Sequence, residues 1–224
     1  MNPKTRNLFV RTASGIVYVA LMVAAVFTPW VAVPLAIFFA LVGLYEFYRL
    51  IKSADFKQNA FFKNRIILAV LGILWILIPL CMLFFLWIPK QQAMVLAFLI
   101  LIWMSDTAAY VFGSLFGKHK LAPNISPGKT WEGFLSSCVF TVGLAIGLSY
   151  IPFFQMSMPM WSWIVFALII QVFGLLGDLT ESLFKRKAGV KDSGNIIPGH
   201  GGVLDRVDSI LFATIPAYLF CQLF

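Results

Sequence analysis

The sequence predicts an all-α polytopic membrane protein with about seven transmembrane helices joined by polar cytoplasmic loops. Three observations predict it. Hydrophobic residues make up 61% of the chain and charged residues 12%, with a mean hydropathy of +0.91. Apolar runs of about 20 residues, the length that crosses hydrocarbon as a helix, recur along the sequence. The basic residues between these runs collect in alternate connections, as they do in multi-pass proteins.

The seven runs are 12–29, 31–48, 66–88, 92–113, 133–153, 160–183 and 207–223. A secretory signal would also explain the first, but no small-residue cleavage site is clear and six runs follow, so it is expected to be a span. Lys4, Arg6 and Arg11 precede span one, and Arg49, Lys52, Lys57, Lys63 and Arg65 lie between spans two and three. Lys118, Lys120 and Lys129 follow span four, and Lys185, Arg186, Lys187, Lys191 and Arg206 follow span six. Only Lys90 falls in the other connections, so sixteen of the seventeen basic residues share one side. The positive-inside rule makes that side cytoplasmic, with the amino terminus inside and the carboxyl terminus outside.

The formal net charge of +8 suits anionic headgroups and phosphate ligands. No zinc finger, basic helix or other nucleic-acid module occurs, so nucleic acid is not an expected partner. Cys81, Cys138 and Cys221 are scattered through apolar runs and read as core thiols, and two histidines exclude a histidine-rich metal site. Residues 1–224 are expected to form one integral-membrane domain. Its longest polar stretches are 49–65, 114–131 and 184–206. The first mixes bases with Phe56, Phe61 and Phe62 and reads as an interfacial segment on the anionic leaflet, with a plain loop as the alternative. The uncharged loop 152–160, with Trp161 and Trp163, reads as an external aromatic belt. Gly143 and Gly147 form a small-xxx-small pair expected to let span five pack closely.

Ionisable groups at membrane depth are costly, so they carry a partner or a function. Asp178, Glu181, Ser182 and Lys185 follow each other at helical spacing and share one stripe at the cytoplasmic end of span six. A plain acid–base pair, Asp178 or Glu181 with Lys185, would explain them. The further acids Asp192, Asp205 and Asp208 weaken that reading. Oxygen donors of this kind suit Mg²⁺, which takes one or two carboxylates plus water and phosphates. Asp178 on one helix and Asp205 at the start of the next could hold it. Asp205 and Asp208 could equally cap span seven, and for Asp205 both roles are expected.

Pro198-Gly-His200-Gly201-Gly202 is flexible enough to bring backbone N–H groups against phosphate, although a reverse turn would look the same. A second cluster runs Ser105-Asp106-Thr-Ala-Ala-Tyr110, Gly113-x3-Gly117-Lys-His-Lys120 and Ser126-Pro-Gly-Lys129-Thr130-Trp-Glu132-Gly133. Gly113 and Gly117 read as a close-packing face. Gly128-Lys129-Thr130 is not a P-loop, because Pro123 stands where that motif needs glycine and no strand is expected before it. What remains is a cytoplasmic loop whose hydroxyl and lysine could bind phosphate. Lys118, His119 and Lys120 read as orientation charge.

These residues carry a family resemblance. The 27-residue stretch Ser182-x-Phe-Lys-Arg-x4-Lys191-Asp-x-Gly-x2-Ile-Pro-x-His-Gly-Gly-Val-x-Asp205-Arg-Val-Asp208 resembles the signature of bacterial phosphatidate cytidylyltransferases (CDP-diacylglycerol synthases). Gly177-Asp-Leu-Thr-Glu-Ser182, Ser105–Tyr110 and Ser126–Gly133 resemble it too, so the likeness covers about 92–224, the catalytic part, and more weakly the spans of 1–91. The resemblance implies a polytopic inner-membrane homodimer that transfers a cytidylyl group from CTP to phosphatidic acid, releasing pyrophosphate. It implies Mg²⁺ or Mn²⁺, with a monovalent cation such as K⁺ beside it. Asp178, Lys185 and Asp205 would be catalytic, with Asp178, Asp205 and Asp208 on the metal. Lys185, Arg186, His200 and Arg206 would face phosphates, and Ser126 and Lys129 the nucleotide or lipid phosphate. Ser182, Lys191, Gly201 and Gly202 would complete the substrate contacts. Typical members are several tens of residues longer, with the shortfall toward the amino-terminal half.

Two other functions fit parts of the pattern. A CTP-dependent polyprenol kinase uses similar membrane machinery but would not carry the 182–208 stretch. A transporter or channel would place Asp106, Asp178 and Glu181 near mid-membrane in paired, broken helices. Here the charges gather at one interface and the halves are unlike.

Overall fold

The computed structural model describes residues 3–53, 64–87, 91–154, 158–197 and 201–224. Seven α-helices lie within them: α1 (Pro3–Phe27), α2 (Pro29–Ser53), α3 (Arg65–Trp87), α4 (Gln92–Phe116), α5 (Trp131–Ser149), α6 (Met160–Lys187) and α7 (Leu204–Cys221). Six of them, α1 to α6, are long and apolar enough to cross a membrane. This is a multi-pass helical membrane protein. The run expected as a seventh span does form helix α7, but Asp205, Arg206 and Asp208 crowd its first two turns and keep it out of that set. Lipid has no water to satisfy a bare backbone, which is why the apolar runs close all their hydrogen bonds within helices. Large apolar side chains such as Trp30, Ile66 and Val139 accordingly point outward.

The helix starts follow local chemistry. Proline opens α1 and α2, where its missing N–H costs nothing and its fixed φ suits a helix. Asn64 caps α3, its Oδ1 accepting from the N–H groups of Ile66 at 3.0 Å and Ile67 at 3.3 Å. At the other end of α6, Gly189 takes φ +70°. Val190 N–H donates to Lys185 O at 3.0 Å and Gly189 N–H to Arg186 O at 3.1 Å, the paired closure of a Schellman turn.

The chain divides into two compact units. The first holds α1, α2, α3 as far as Leu80, and residues 184–207. Its core is built from Phe47, Leu50, Leu68, Ile76 and Leu204. Phe47 meets Trp75 and Phe184 edge-on, with ring centroids 5.7 and 5.2 Å away. Gly72 lies so close to the Phe47 ring that no Cβ would fit there. The aromatic face is thus seated on backbone, which is how helices gain dispersion contact in lipid, where apolar solvent offers no hydrophobic drive.

The second unit holds residues 81–183 and 208–224. Phe98, Leu101, Ile102, Phe166, Ile170 and Leu211 fill it. α4 runs along α5, and Gln171 on α6 ties itself to α5. Its amide nitrogen donates to Ser137 Oγ, and its Oε1 accepts from Thr141 Oγ1 at 3.3 Å. All three side chains are buried. Gly113 on α4 and Gly117, which follows its last residue, do form the expected close face, pressed against Thr130 and, for Gly113, Gly133. Gly143 and Gly147 do not, since a Cβ at either meets nothing within 4 Å. The α5 face toward its neighbours is instead the one with Gly133, Ser137, Thr141, Ala145 and Leu148. Trp161 is exposed, as a belt residue would be, whereas Trp163 is a core residue against Phe166.

The stretch expected as a plain loop at 114–131 contains an antiparallel hairpin, β1 (Lys120–Ala122) with β2 (Ser126–Thr130). Ile125 N–H donates to Ala122 O at 3.2 Å, closing a turn whose second residue is Pro123, the position where its locked φ is favourable. The basic segment expected on the leaflet, with Phe56, Phe61 and Phe62, lies outside the described residues.

Candidate functional site

In the second unit, α6 and the hairpin bring three of the expected site residues together. Lys129 Nζ lies 2.6 Å from Asp178 Oδ2, and Ser182 Oγ, one turn along α6, donates to Asp178 Oδ1 at 3.1 Å. The unbroken helix through Lys187 keeps Asp178, Glu181, Ser182 and Lys185 on the stripe their spacing predicts. Gly177 lets α7 approach, since a Cβ there would sit 2.5 Å from Asp208 O. The Asp208 side chain reaches Glu181 and feels the charges of Asp178 and Asp106. Thr130 caps α5, accepting from Gly133 N–H at 3.2 Å. Ser126, at the start of β2, pairs with Ala122.

In the neighbouring basic segment His119 has a structural role. Glu132 accepts from the backbone N–H groups of Lys118 at 3.1 Å and His119 at 3.2 Å, and lies 2.6 Å from His119 Nδ1. His119 thereby ties the hairpin to the first turn of α5.

In the first unit, Lys185 Nζ lies 2.7 Å from Asp205 Oδ1. Asp205, twenty residues along the chain, is therefore a partner of the lysine. Asp205 also accepts from Ser193 N–H, at 3.0 Å to Oδ2, and from Gly202 N–H at 2.8 Å. Gly201, at φ +83°, places its α-carbon against that carboxylate, a backbone state that favours glycine. Ile197 N–H donates to Gly201 O at 3.0 Å, so the glycine loop closes on itself. Arg186 donates to Val190 O at 3.4 Å. Arg206 and Lys191 are exposed, and the Arg206 carbonyl accepts from Tyr18 Oη at 3.1 Å. His200 lies outside the described residues.

Capping of α7 differs from expectation. A side chain inside the first turn points back toward the helix start, so Asp205 reaches the preceding loop, and Asp208 accepts from the next N–H, Ser209, at 2.8 Å. The leading N–H groups of Val203 and Leu204 donate instead to Glu46, at 3.1 Å to Oε1 and 2.8 Å to Oε2. Glu46 also accepts from Ser193 Oγ at 3.0 Å. It is buried on α2, and sequence reasoning passed over it. The available signal was a lone carboxylate within an otherwise apolar span.

Six helices long and apolar enough to cross a membrane, with an acid–lysine pair in each unit, define a polytopic helical membrane protein. The chain belongs to the cytidylyltransferase family, whose model matches residues 4–224. It is 51% identical over 116 residues to a phosphatidate cytidylyltransferase of Staphylococcus saprophyticus and 50% to one of Staphylococcus haemolyticus. A phosphatidate cytidylyltransferase of Staphylococcus aureus is 53% identical over the same length. Each match covers 52% of this chain and 44% of the relative, so the match spans less than half the length of these relatives.

Proposed function

We propose that this protein transfers a cytidylyl group from CTP to phosphatidic acid, giving CDP-diacylglycerol and pyrophosphate. The observation that carries this reading is Lys185 held to Asp205 beneath the Gly201–Gly202 turn, within the stretch that resembles the family signature. A phosphatidate oxygen attacks the α-phosphorus of CTP, a P–O bond forms, and the bond to pyrophosphate breaks. The nucleophile is already an anion, so no strong general base is needed. The protein's task is alignment and charge neutralisation.

Lys129, Lys185, Arg186, Lys191, His200 and Arg206 supply positive charge to the phosphates. The hydroxyls of Ser126 and Ser182 and the N–H groups around Gly201 and Gly202 supply neutral donors. Asp178, Asp205 and Asp208 each offer only oxygen donors, the kind that suits a hard divalent cation. Mg²⁺ takes one or two carboxylates and fills its remaining positions with water and phosphate oxygens. Bound there, Mg²⁺ or Mn²⁺, with K⁺ nearby, would offset the negative charge of both reactants. The basic loops favour a cytoplasmic active site with the amino terminus inside, in the plasma membrane, where CTP meets a lipid headgroup still anchored in the bilayer. The same reading has the protein working as a homodimer.

The test is incubation of purified protein with α-³²P-CTP, phosphatidate and Mg²⁺. Label should move into the lipid phase as pyrophosphate is released. A lipid kinase would leave the α-label in water as CDP and overturn the reading.

A further inference from the structure

Glu46 contributes nothing to the mechanism above, yet both its oxygens are fully engaged at the base of the glycine loop. Oε1 accepts from Val203 N–H at 3.1 Å, and Oε2 accepts from Leu204 N–H at 2.8 Å and Ser193 Oγ at 3.0 Å. The loop backbone is moulded to it. A Cβ at Gly194 would collide with the Glu46 carboxylate, and one at Gly202 would lie 2.7 Å from Oε2. Only hydrogen fits at either place, so the carboxylate and the loop are shaped to each other.

Two residues connect this group to Asp205. Ser193 donates its hydroxyl to Glu46 and its N–H to Asp205. Gly202 donates its N–H to Asp205 and presses its α-carbon on Glu46. Val203 and Leu204, whose N–H groups Glu46 holds, lead directly into Asp205. Glu46 thus sits behind the aspartate, touching its supports and not the aspartate itself.

The geometry points to Glu46 as the positioning residue of the proposed active site, fixing residues 193–194 and 202–204 so that the Asp205 carboxylate is aimed before any ligand arrives. The inference rests on the proposed cytidylyl transfer for its kinetic consequence, though not for its structural one. A buried carboxylate is well suited to the task, because it can accept several N–H and O–H donors at once and binds them more strongly than a neutral oxygen would. An amide at the same position keeps one acceptor oxygen and turns a donor toward the other N–H or hydroxyl. The loop should then shift by a fraction of an ångström to an ångström, a displacement that can cost about 100-fold in rate.

The test compares wild type, Glu46→Gln, Glu46→Asp and Ser193→Ala in nanodiscs, with circular dichroism verifying helical content. Glu46→Gln should lower kcat by about 10- to 100-fold and raise the half-saturating Mg²⁺ concentration severalfold, with KM for phosphatidate unchanged. Ser193→Ala should move both quantities in the same direction by less, and the double variant should be no worse than Glu46→Gln alone, because the two share one network. Tryptic cleavage after Lys191 reports loop order without any turnover, and Glu46→Gln should accelerate it. Unchanged kcat, Mg²⁺ dependence and cleavage in Glu46→Gln would overturn the inference, as would strictly additive losses in the double variant. Should Glu46→Gln fail to fold, Ser193→Ala and Glu46→Asp decide on the same readouts. If wild type transfers no cytidylyl group, the proposed function fails, and the cleavage assay still judges the loop-positioning role.

Discussion

Lys185 Nζ and Asp205 Oδ1 lie 2.7 Å apart, with side chains only 11% and 5% exposed. Such a pair is held in place by more than Coulomb attraction, since Asp205 also takes two backbone N–H donors. Taking away one partner leaves the other charge buried and uncompensated, which is far more costly than the net worth of the pair.

Lys185→Met should therefore lose about 3–5 kcal/mol of stability, read as a drop in the thermal midpoint of the detergent-solubilised protein. The double variant Lys185→Met/Asp205→Leu should recover part of that loss while remaining inactive. If the double variant melts below the single one, the carboxylate is not the source of the cost.

Asp178 and Lys129 should behave in the opposite way. Their side chains are 34% and 22% exposed, and partly solvated pairs of this kind contribute about 0–1 kcal/mol. Asp178→Asn should keep insertion and the melting midpoint near wild type while turnover falls by about 100-fold or more. Wild-type-like turnover in that variant would remove Asp178 from the chemistry.

Gly177 separates α6 from α7 by the thickness of a hydrogen atom. Gly177→Ala places a methyl 2.5 Å from Asp208 O and 2.8 Å from Phe212 Cβ, and overpacking of this kind costs about 1–3 kcal/mol. Gly143→Ala, where the space is open, should gain up to about 1 kcal/mol from helix propensity. Thermal midpoints moving in opposite directions would bear this out.

Gly189 and Gly201 both have positive φ, but only one is crowded. Gly189→Ala meets nothing within 4 Å and should lose about 1 kcal/mol through φ alone. Gly201→Ala adds a methyl 2.9 Å from Asp205 Oδ2, so it should lose more stability and also disturb turnover. Equal effects of the two would show that the approach to Asp205 is unimportant.

The membrane helices were legible because a 20-residue apolar run leaves the backbone no alternative in lipid. The Asp178–Ser182–Lys185 stripe was legible for a similar reason, since a helix fixes which neighbours share a face. The contact of Lys185 with Asp205, twenty residues away, was not legible, because a tertiary partner is something that spacing along one helix does not encode. Gly113 and Gly143 carry the same local signal, a small residue four from another. Only the first faces a neighbour, and nothing in the pattern says which side of α5 that neighbour occupies. Glu46 was hidden by its context: one acid near the end of an apolar run looks like an ordinary boundary residue until the far loop folds onto it.

Gln171 carries a different consequence for how the second unit comes together. Shifting the register of α6 against α5 by a single residue would swing the amide about 100° around its axis and strand Thr141 and Gln171 among hydrocarbon neighbours that can neither donate nor accept a hydrogen bond. Greasy surfaces alone would tolerate many such offsets. Three small polar groups make one offset preferable, so two helices inserted separately can still lock at a single depth.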